Sequence, residues 1–278
     1  MIGSIIGDIV GYPYQNGFMA YTDATERIDS VMGRVTDDSV LTIAVADAIL
    51  NDDTENAKEY LLKWFNKYPE AGYGPGFYEW ASNGGTEPMT SIGNGAAMRI
   101  SPVGWAYFSD VDVSIFNEQY QKFVSITRPS HDSDEAYNGA YSISAIIAKA
   151  RMGHSMDMIK EWAVDMYSPI EIGVSLHDMI AKWDKQSCRC DITVPQAINC
   201  FLLSDSYEDC IRKCLLSQGD VDTIATMAGG IAEAYYWKQT GELPIPKYLI
   251  NYAKNKIPFD MMEIYMKFRD KYNLPKYW

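Results

Sequence analysis

Positive charge, cysteine and long apolar runs are all in short supply in this chain of 278 residues. Lysine and arginine number 24 against 37 acidic residues, which gives a net charge of −13. No basic stripe is long enough to follow a phosphate backbone, so nucleic-acid binding through a basic surface is not expected. An anionic ligand would need local help from metal ions or from helix N-termini.

Membrane insertion is not expected either, because no apolar run reaches the ~18 residues of a membrane span. The first residues, MIGSIIGDIVG, look at first like a secretion signal, but they lack a basic start, contain Asp8 and have no adequate cleavage site. Their apolar residues fall on one helical face, which predicts a core helix. That face consists of Ile2, Ile5, Ile6, Ile9 and Val10.

The five cysteines are confined to residues 188–214. An odd number in a chain of this size argues against a disulfide scaffold, and a single Cys-x-Cys is a weak signal for a metal site. Cys210 and Cys214 lie four apart on a predicted helix, as small buried core residues do. We expect reduced thiols and a cytoplasmic location.

Helical periodicity dominates the chain, while the alternating pattern of strands is scarce and no repeat of fixed period occurs. An all-α fold is expected, as a single compact domain over 1–278 in which 238–278 is a helical extension packed on the rest. After the N-terminal helix, the predicted helices span 38–50, 54–67, 112–126, 134–152, 155–166, 195–204, 206–217, 222–237 and 258–270. Residues 68–99 are rich in Gly, Pro and Asn and predict a long loop, whose aromatic content favours a binding role over disorder.

The stretch GRVTDDSVLT places Thr36, Asp37 and Asp38 directly before an apolar helix. Capping of the helix and interaction with its dipole explain such a pattern when it stands alone. Two adjacent carboxylates are nevertheless more than a cap requires, and their repulsion calls for a cation.

A second set of the same kind, Asp220, Asp222 and Thr223, opens another helix. Glycine destabilises a helix, so Gly229 and Gly230 indicate close approach to a neighbouring helix. Together the two sets offer four carboxylates and two hydroxyls, which suit Mg²⁺ or a related hard divalent ion. Two ions in one cleft would neutralise the acids and attract an anionic or polyhydroxylated substrate.

Two weaker motifs follow. Gly93, Asn94 and Gly95 form a turn that can present backbone N–H groups to phosphate at a helix N-terminus, although a plain turn explains the pattern equally well. Arg99 has two open roles, a phosphate ligand or a structural ion pair. His131 precedes a predicted helix, where a lone histidine is more often structural than functional.

The motifs VTDDSVLTIAVADAIL, GNGAAMRISPVGW and GDVDTIATMAGGIAEAYY resemble, in order and spacing, those of the ADP-ribosylglycohydrolases. The likeness is to bacterial members of this family, relatives of dinitrogenase reductase-activating glycohydrolase and of the eukaryotic ADP-ribosyl hydrolases. It covers residues 1 to about 238 and is specific because the two acidic sets occur together. It implies an all-α fold with two Mg²⁺ (or Mn²⁺) ions at the base of an ADP-ribose cleft.

Carried over position by position, the resemblance implies a role for each motif. Gly93, Asn94 and Gly95 would line the diphosphate, and His131 would approach the diphosphate or the adenosine. The implied metal ligands are Thr36, Asp37, Asp38, Asp220, Asp222 and Thr223.

The implied activity is hydrolysis of the bond between ADP-ribose and a modified side chain, of the arginine type, or another acceptor. Breaking this bond builds oxocarbenium character on the ribose, which nearby carboxylates such as Asp37, Asp38 and Asp222 would stabilise. The expected partners are ADP-ribose or an ADP-ribosylated protein. The alternative is an ADP-ribose-binding protein with weak or no turnover, acting as a sensor or antagonist.

Three positions depart from the family pattern, and none is an implied metal ligand. Gln15 stands where bacterial relatives usually carry a glutamate that contributes to catalysis or to metal and ribose handling, and an amide cannot act as a carboxylate base. Asp23 or Glu26 could take its place if the loop runs differently. Gln218 replaces a common glycine, and Ser133 replaces a second histidine.

Overall fold

The computed structural model describes residues 1–17, 19, 21, 27–107, 113–167, 171–182 and 187–278. No strand occurs in these ranges, where the one isolated backbone bridge joins Gly93 to Arg189. The all-α fold is therefore confirmed. The helices are α1 (Ile2–Gly11), α2 (Asp37–Leu50), α3 (Ala57–Lys67), α4 (Pro75–Ser82), α5 (Gly95–Met98), α6 (Ser101–Ala106), α7 (Val113–Thr127), α8 (Asp134–Met152), α9 (Met156–Met166), α10 (Leu176–Lys182), α11 (Cys190–Leu202), α12 (Tyr207–Ser217), α13 (Val221–Thr240), α14 (Lys247–Lys254) and α15 (Phe259–Tyr272).

Most predicted helices begin within one residue of the observed start, including α2, α8 and α13. Two starts were wrong. The helix predicted from residue 195 begins at Cys190, because Pro195 lies inside α11 and is not its first residue. The helix predicted from residue 54 is a 3₁₀ turn, Thr54–Asn56, followed by α3. The short helices α6 and α10 were not predicted, whereas α14 lies in the segment 238–278, which was predicted to be helical.

The prediction of a loop over 68–99 was wrong in its first half, because α4 lies within it, whereas α5 begins at the glycine turn where a helix start was expected. Proline is favoured in the first helical turn, where its missing N–H has no partner to lose, and Pro75 begins α4. Phe77 and Trp80 are the buried face of α4, and the ring of Phe77 stacks on that of Tyr73 at 5.3 Å. The Gly and Pro content of the segment hid a helix that aromatic packing stabilises.

Contact between α1 and α13 forms the centre of the fold. Every residue of α1 is buried, and its glycines, spaced by four, face the backbone of α13. A Cβ added at Gly3 would lie 2.4 Å from Gly229 O, and one added at Gly7 would lie 2.1 Å from Ala225 O. The expected close approach at Gly229 is thus confirmed, and the helix axes are held by backbone contact instead of by interlocking side chains.

The C-terminal helices complete the outer layer, with α14 against α1 and α15 against α2. Their buried residues, such as Leu249, Met261 and Phe268, belong to the same hydrophobic cluster as α1 and α13. None of the helices in the described residues is long and apolar enough to cross a membrane.

The cysteines are all free thiols, and four of the five are buried. Cys210 and Cys214 are fully buried, as predicted. Cys188 is the exposed one.

Candidate metal and substrate site

The first acidic set forms the beginning of α2 and also caps it. Thr36 is the N-cap residue, and its hydroxyl oxygen accepts a hydrogen bond from the backbone N–H of Asp38 at 3.3 Å. Asp37 and Asp38 occupy the first turn. Capping and a clustered set of oxygen donors therefore occur together here, so the capping interpretation does not exclude a cation site.

The second set lies at the start of α13, where Asp220 precedes the helix and Asp222 and Thr223 lie in its first turn. The hydroxyl of Thr223 donates to Asp38 Oδ2 at 3.3 Å, which joins the two sets directly. Asn94 donates its side-chain amide to Asp220 Oδ2 at 2.7 Å. The structure thus brings together residues that lie far apart in the sequence.

Asp8, on α1, is a member of this cluster that sequence reasoning missed. One carboxylate oxygen from each of Asp8, Asp38 and Asp222 lies within 4.8 Å of the others, a group that could hold a metal ion. Asp8 is fully buried. A carboxylate in an otherwise apolar and glycine-rich helix was the available signal, since acids are rarely buried without partners.

Burial and mutual repulsion dominate the electrostatics of the cluster. Burial first, and then the charges of Asp8 and Asp220, raise the pKa of Asp37 to about 8. The same two causes, burial and neighbouring carboxylates, hold the pKa values of Asp38 and Asp222 well above their usual range. Ionised together, these groups need a counter-cation.

The donor set fits a hard divalent ion. Asp38 is 2 % exposed, and its Oδ1 is buried with no hydrogen-bond partner among the described residues. A buried carboxylate oxygen without a partner is costly, and a divalent cation would satisfy it. The two acidic sets and Asp8 offer only carboxylate and hydroxyl oxygens, which suit Mg²⁺ or Mn²⁺ better than a soft metal.

A cavity of about 420 Å³ opens over the cluster. This volume lies in the range typical of small-molecule sites. Arg34 is the only cationic side chain among its described lining residues, and its guanidinium lies 4.5 Å from the centroid of the Tyr12 ring. The predicted site residues that line the cavity are Gln15, Thr36, Asp37, Asp38, Gly93, Asn94, Gly95, His131, Asp220, Asp222 and Thr223.

The glycine turn and His131 pack against each other on one wall of the cavity. A Cβ at Gly95 would lie 2.8 Å from the His131 ring, so only glycine fits there without displacement of the ring. Burial and the nearby charge of Arg99 lower the pKa of His131, which leaves the imidazole neutral. Ser130 Oγ lies 2.9 Å from His131 Nδ1, while Gly93 and Gly95 face Nε2.

Arg99 takes neither of the roles considered for it. Its guanidinium is fully buried, donates to the carbonyl of Ile126 at 3.0 Å and does not line the cavity. It therefore caps the C-terminal end of α7.

Two of the three departures have a structural account. Ser133 caps α8 by accepting from the N–H of Ala136 at 3.2 Å, and it donates to the carbonyl of Ser91 at 2.6 Å. Gln218 has φ of 63° and ψ of 168°, a conformation that favours glycine. The backbone of this turn thus keeps a glycine-like shape, and the strain is of order 1–3 kcal/mol.

Gln15 is half-buried and lines the cavity. The next residue, Asn16, has a positive φ of 50° and donates its backbone N–H to the carbonyl of Gly219 at 2.7 Å. Gln15 is thereby held close to the second acidic set. The alternative acids Asp23 and Glu26 lie outside the described residues.

Comparison with known proteins agrees with this architecture. The family model for ADP-ribosylglycohydrolase matches residues 1–254. The ADP-ribosylhydrolase ARH3 of Mus musculus is 26% identical over 332 aligned positions, covering 87% of this chain and 86% of that protein. The Homo sapiens protein of the same name is 27% identical and covers 80% and 77% of the two chains.

A solved structure described as an ADP-ribosylglycohydrolase-related protein complex superposes with a TM-score of 0.69 at 17% identity. The superposition covers 97% of this chain and 95% of the other, so the two share their fold. On the family match over nearly its full length, this chain belongs to the ADP-ribosylglycohydrolase family.

Proposed function

We propose that the protein is a Mg²⁺-dependent hydrolase that cleaves the glycosidic bond between ADP-ribose and an acceptor. The observation that carries the proposal is the unpartnered, buried Oδ1 of Asp38 beneath a cavity lined by both acidic sets. The curated relatives named ADP-ribosylhydrolase support the substrate class.

The residues of the site would have distinct roles in this hydrolysis. Two cations held by the six oxygen-bearing side chains would supply positive charge at the reacting ribose. Asp37, Asp38 and Asp222 would stabilise oxocarbenium character, and Asn94 orients Asp220 through its amide. The turn at Gly93–Gly95 and the guanidinium of Arg34 would hold the remote, anionic part of the substrate, whose binding energy positions the ribose.

Gln15 favours the second candidate, an ADP-ribose-binding protein with little turnover. It lines the cavity where a carboxylate would serve as general base, yet its amide neither gains nor loses a proton near neutral pH. The proposal includes four kinds of acceptor for the ADP-ribose: arginine, serine, an acetyl ester and a nucleic-acid base.

We expect the wild-type protein to release ADP-ribose from at least one of these linkages with Mg²⁺ and from none with EDTA. Gln15→Glu should raise turnover by about a hundredfold, because it supplies a general base. Asn16→Asp is the matched control, since it adds the same charge one residue later and should leave turnover nearly unchanged.

Release assays over the four linkages, with parallel calorimetry of ADP-ribose binding, separate the candidates. Binding without release by the wild type, combined with release by Gln15→Glu, would favour the binding protein. Absence of ADP-ribose binding in Mg²⁺ would overturn both candidates.

Metal-free protein is expected to lose stability as the pH rises from 5 to 8. The pKa of Asp37 is about 8 in the folded protein and near 3.8 when unfolded, so the folded state holds a proton that the unfolded state releases. The stability from this proton is complete below about pH 4 and is lost as the pH rises through about 8.

Because Mg²⁺ competes with these protons, its stabilising effect should be larger at pH 8 than at pH 6. Thermal melts in EDTA and in Mg²⁺ across this range measure both effects, and Asp37→Asn should flatten the slope in EDTA. A melting temperature in EDTA that rises from pH 5 to pH 8 would contradict the assignment.

A further inference from the structure

Asp8 accepts hydrogen bonds at both carboxylate oxygens, all from the start of α2. Its Oδ1 accepts from the Thr36 hydroxyl at 2.7 Å, and its Oδ2 accepts from the backbone N–H of Thr36 at 2.9 Å. Oδ2 also accepts from the backbone N–H of Ser39 at 3.2 Å and from the Ser39 hydroxyl. A carboxylate used in this way has little capacity left for a metal ion.

The position of Asp8 also indicates that it is not a metal ligand. Thr36 and Asp38 line the cavity, whereas Asp8 lies behind them and does not. Although its oxygen is close to those of Asp38 and Asp222, it faces the protein interior through four donors. Proximity alone would suggest that Asp8 is a metal ligand. Its hydrogen bonds and its absence from the cavity lining argue against that role.

We propose that Asp8 is a positioning residue that aims the Thr36 hydroxyl oxygen at the cation, an inference that rests on the proposed function. A hydroxyl has one proton and two lone pairs. The Thr36 hydroxyl lies 2.7 Å from Asp8 Oδ1 and 3.2 Å from Asp38 Oδ2, so its proton goes to Asp8. One lone pair of the Thr36 hydroxyl accepts from the backbone N–H of Asp38 at 3.3 Å, and the other is thereby left for the cation.

The contrast with the second acidic set supports this role. Thr223 supplies the hydroxyl of that set, yet this hydroxyl donates to Asp38 Oδ2 at 3.3 Å, a group that would itself hold a cation. Asp8 gives Thr36 an acceptor outside the cavity, and the anchored N–H groups of Thr36 and Ser39 fix the first turn of α2.

Asp8→Asn tests the proposal because the amide keeps the shape but offers one acceptor oxygen in place of two. We expect the affinity for Mn²⁺, measured by electron paramagnetic resonance and calorimetry, to fall by about 10- to 100-fold, as for other residues that orient ligands. Ser4→Ala is the matched control in α1: Ser4 is buried, its hydroxyl has no partner among the described residues, and its loss should leave the affinity unchanged.

A double-mutant cycle with Thr36→Val separates positioning from direct ligation. If Asp8 acts through Thr36, Asp8→Asn should cost less than threefold in Mn²⁺ affinity once Thr36 is valine. Additive losses would overturn the proposal, as would an Asp8→Asn variant that is folded by circular dichroism and binds Mn²⁺ like the wild type.

Ser39→Ala keeps the proposal testable if Asp8→Asn does not fold. It removes one donor to Asp8 but leaves the Thr36 bond, so the Mn²⁺ affinity should change less than twofold, and a tenfold loss would overturn the role of Thr36. A wild-type protein that binds neither Mn²⁺ nor Mg²⁺ would overturn the proposed function itself. Normal wild-type binding with an unchanged Asp8→Asn would overturn only this inference.

Discussion

Asp38→Asn is expected to reduce ADP-ribose release in Mg²⁺ by at least about a thousandfold and to raise the melting temperature in EDTA. Loss of one ligand from the cation site removes several kcal/mol of charge stabilisation, and about 4 kcal/mol corresponds to a thousandfold in rate. In EDTA the same change removes a buried charge whose pKa is held well above its usual range by burial and by neighbouring acids. Activity and stability should therefore move in opposite directions.

The matched control is Asp47→Asn, a second buried aspartate on α2. Asp47 Oδ2 accepts from Lys63 at 2.7 Å and from the Trp64 indole at 2.9 Å, so its charge is satisfied within the protein. Asp47→Asn should lower the melting temperature and leave turnover per folded molecule unchanged. An Asp38→Asn variant that melts below the wild type in EDTA, or that keeps its Mg²⁺-dependent turnover, would rule out the proposed cation site.

Gly7→Ala is expected to destabilise the protein by about 3 kcal/mol or more, at the upper end of overpacking effects. The added Cβ would lie 2.1 Å from the Ala225 carbonyl oxygen and 2.9 Å from the Thr226 nitrogen, and backbone atoms cannot rotate out of its way. A loss of this size corresponds to a fall in melting temperature of roughly 6–12 °C. Mg²⁺ affinity should fall too, because α1 carries Asp8 and α13 carries Asp222.

Gly76→Ala is the matched control, because the same substitution is expected to stabilise the protein at this position. Gly76 lies in α4 and is exposed, and an added Cβ would meet only Met89 Sδ at an ordinary 3.6 Å. Alanine there should stabilise the protein by about 0.5–1 kcal/mol, since glycine is unfavourable within a helix. Calorimetric melts of both variants test the pair, and a Gly7→Ala variant that melts within a degree of the wild type would refute the close contact.

The two acidic sets could be predicted from the sequence because each repeats a Thr/Asp/Asp composition next to an apolar helix. Asp8 could not be found in this way, because a single acid has no pattern. The apolar periodicity around it predicts a helix but does not say what its carboxylate faces. That information lies in the donors at Thr36 and Ser39, which are about thirty residues away in the sequence.

Helix boundaries were predictable where apolar periodicity and capping residues agree, as at Ser133 before α8. They were missed where stability comes from packing. The short helix α4 depends on the ring contacts of Phe77 with Phe65 and with Trp80. Its eight residues are too few for apolar periodicity to predict it. The glycines at 3, 7 and 11 are spaced by four, a pattern that is visible in the sequence. Only the structure shows that they contact the backbone of α13.

The pairing of α1 with α13 also determines when the site forms as the chain is made. Asp8 leaves the ribosome more than 200 residues before Asp222, and synthesis at about 5–20 residues per second puts roughly 10–40 s between them. Throughout that interval the isoleucines of α1, all fully buried in the finished protein, have no α13 to cover them. A nascent chain that ends before α13 should bind chaperones strongly and metal weakly, and ion binding should begin only once α13 has emerged.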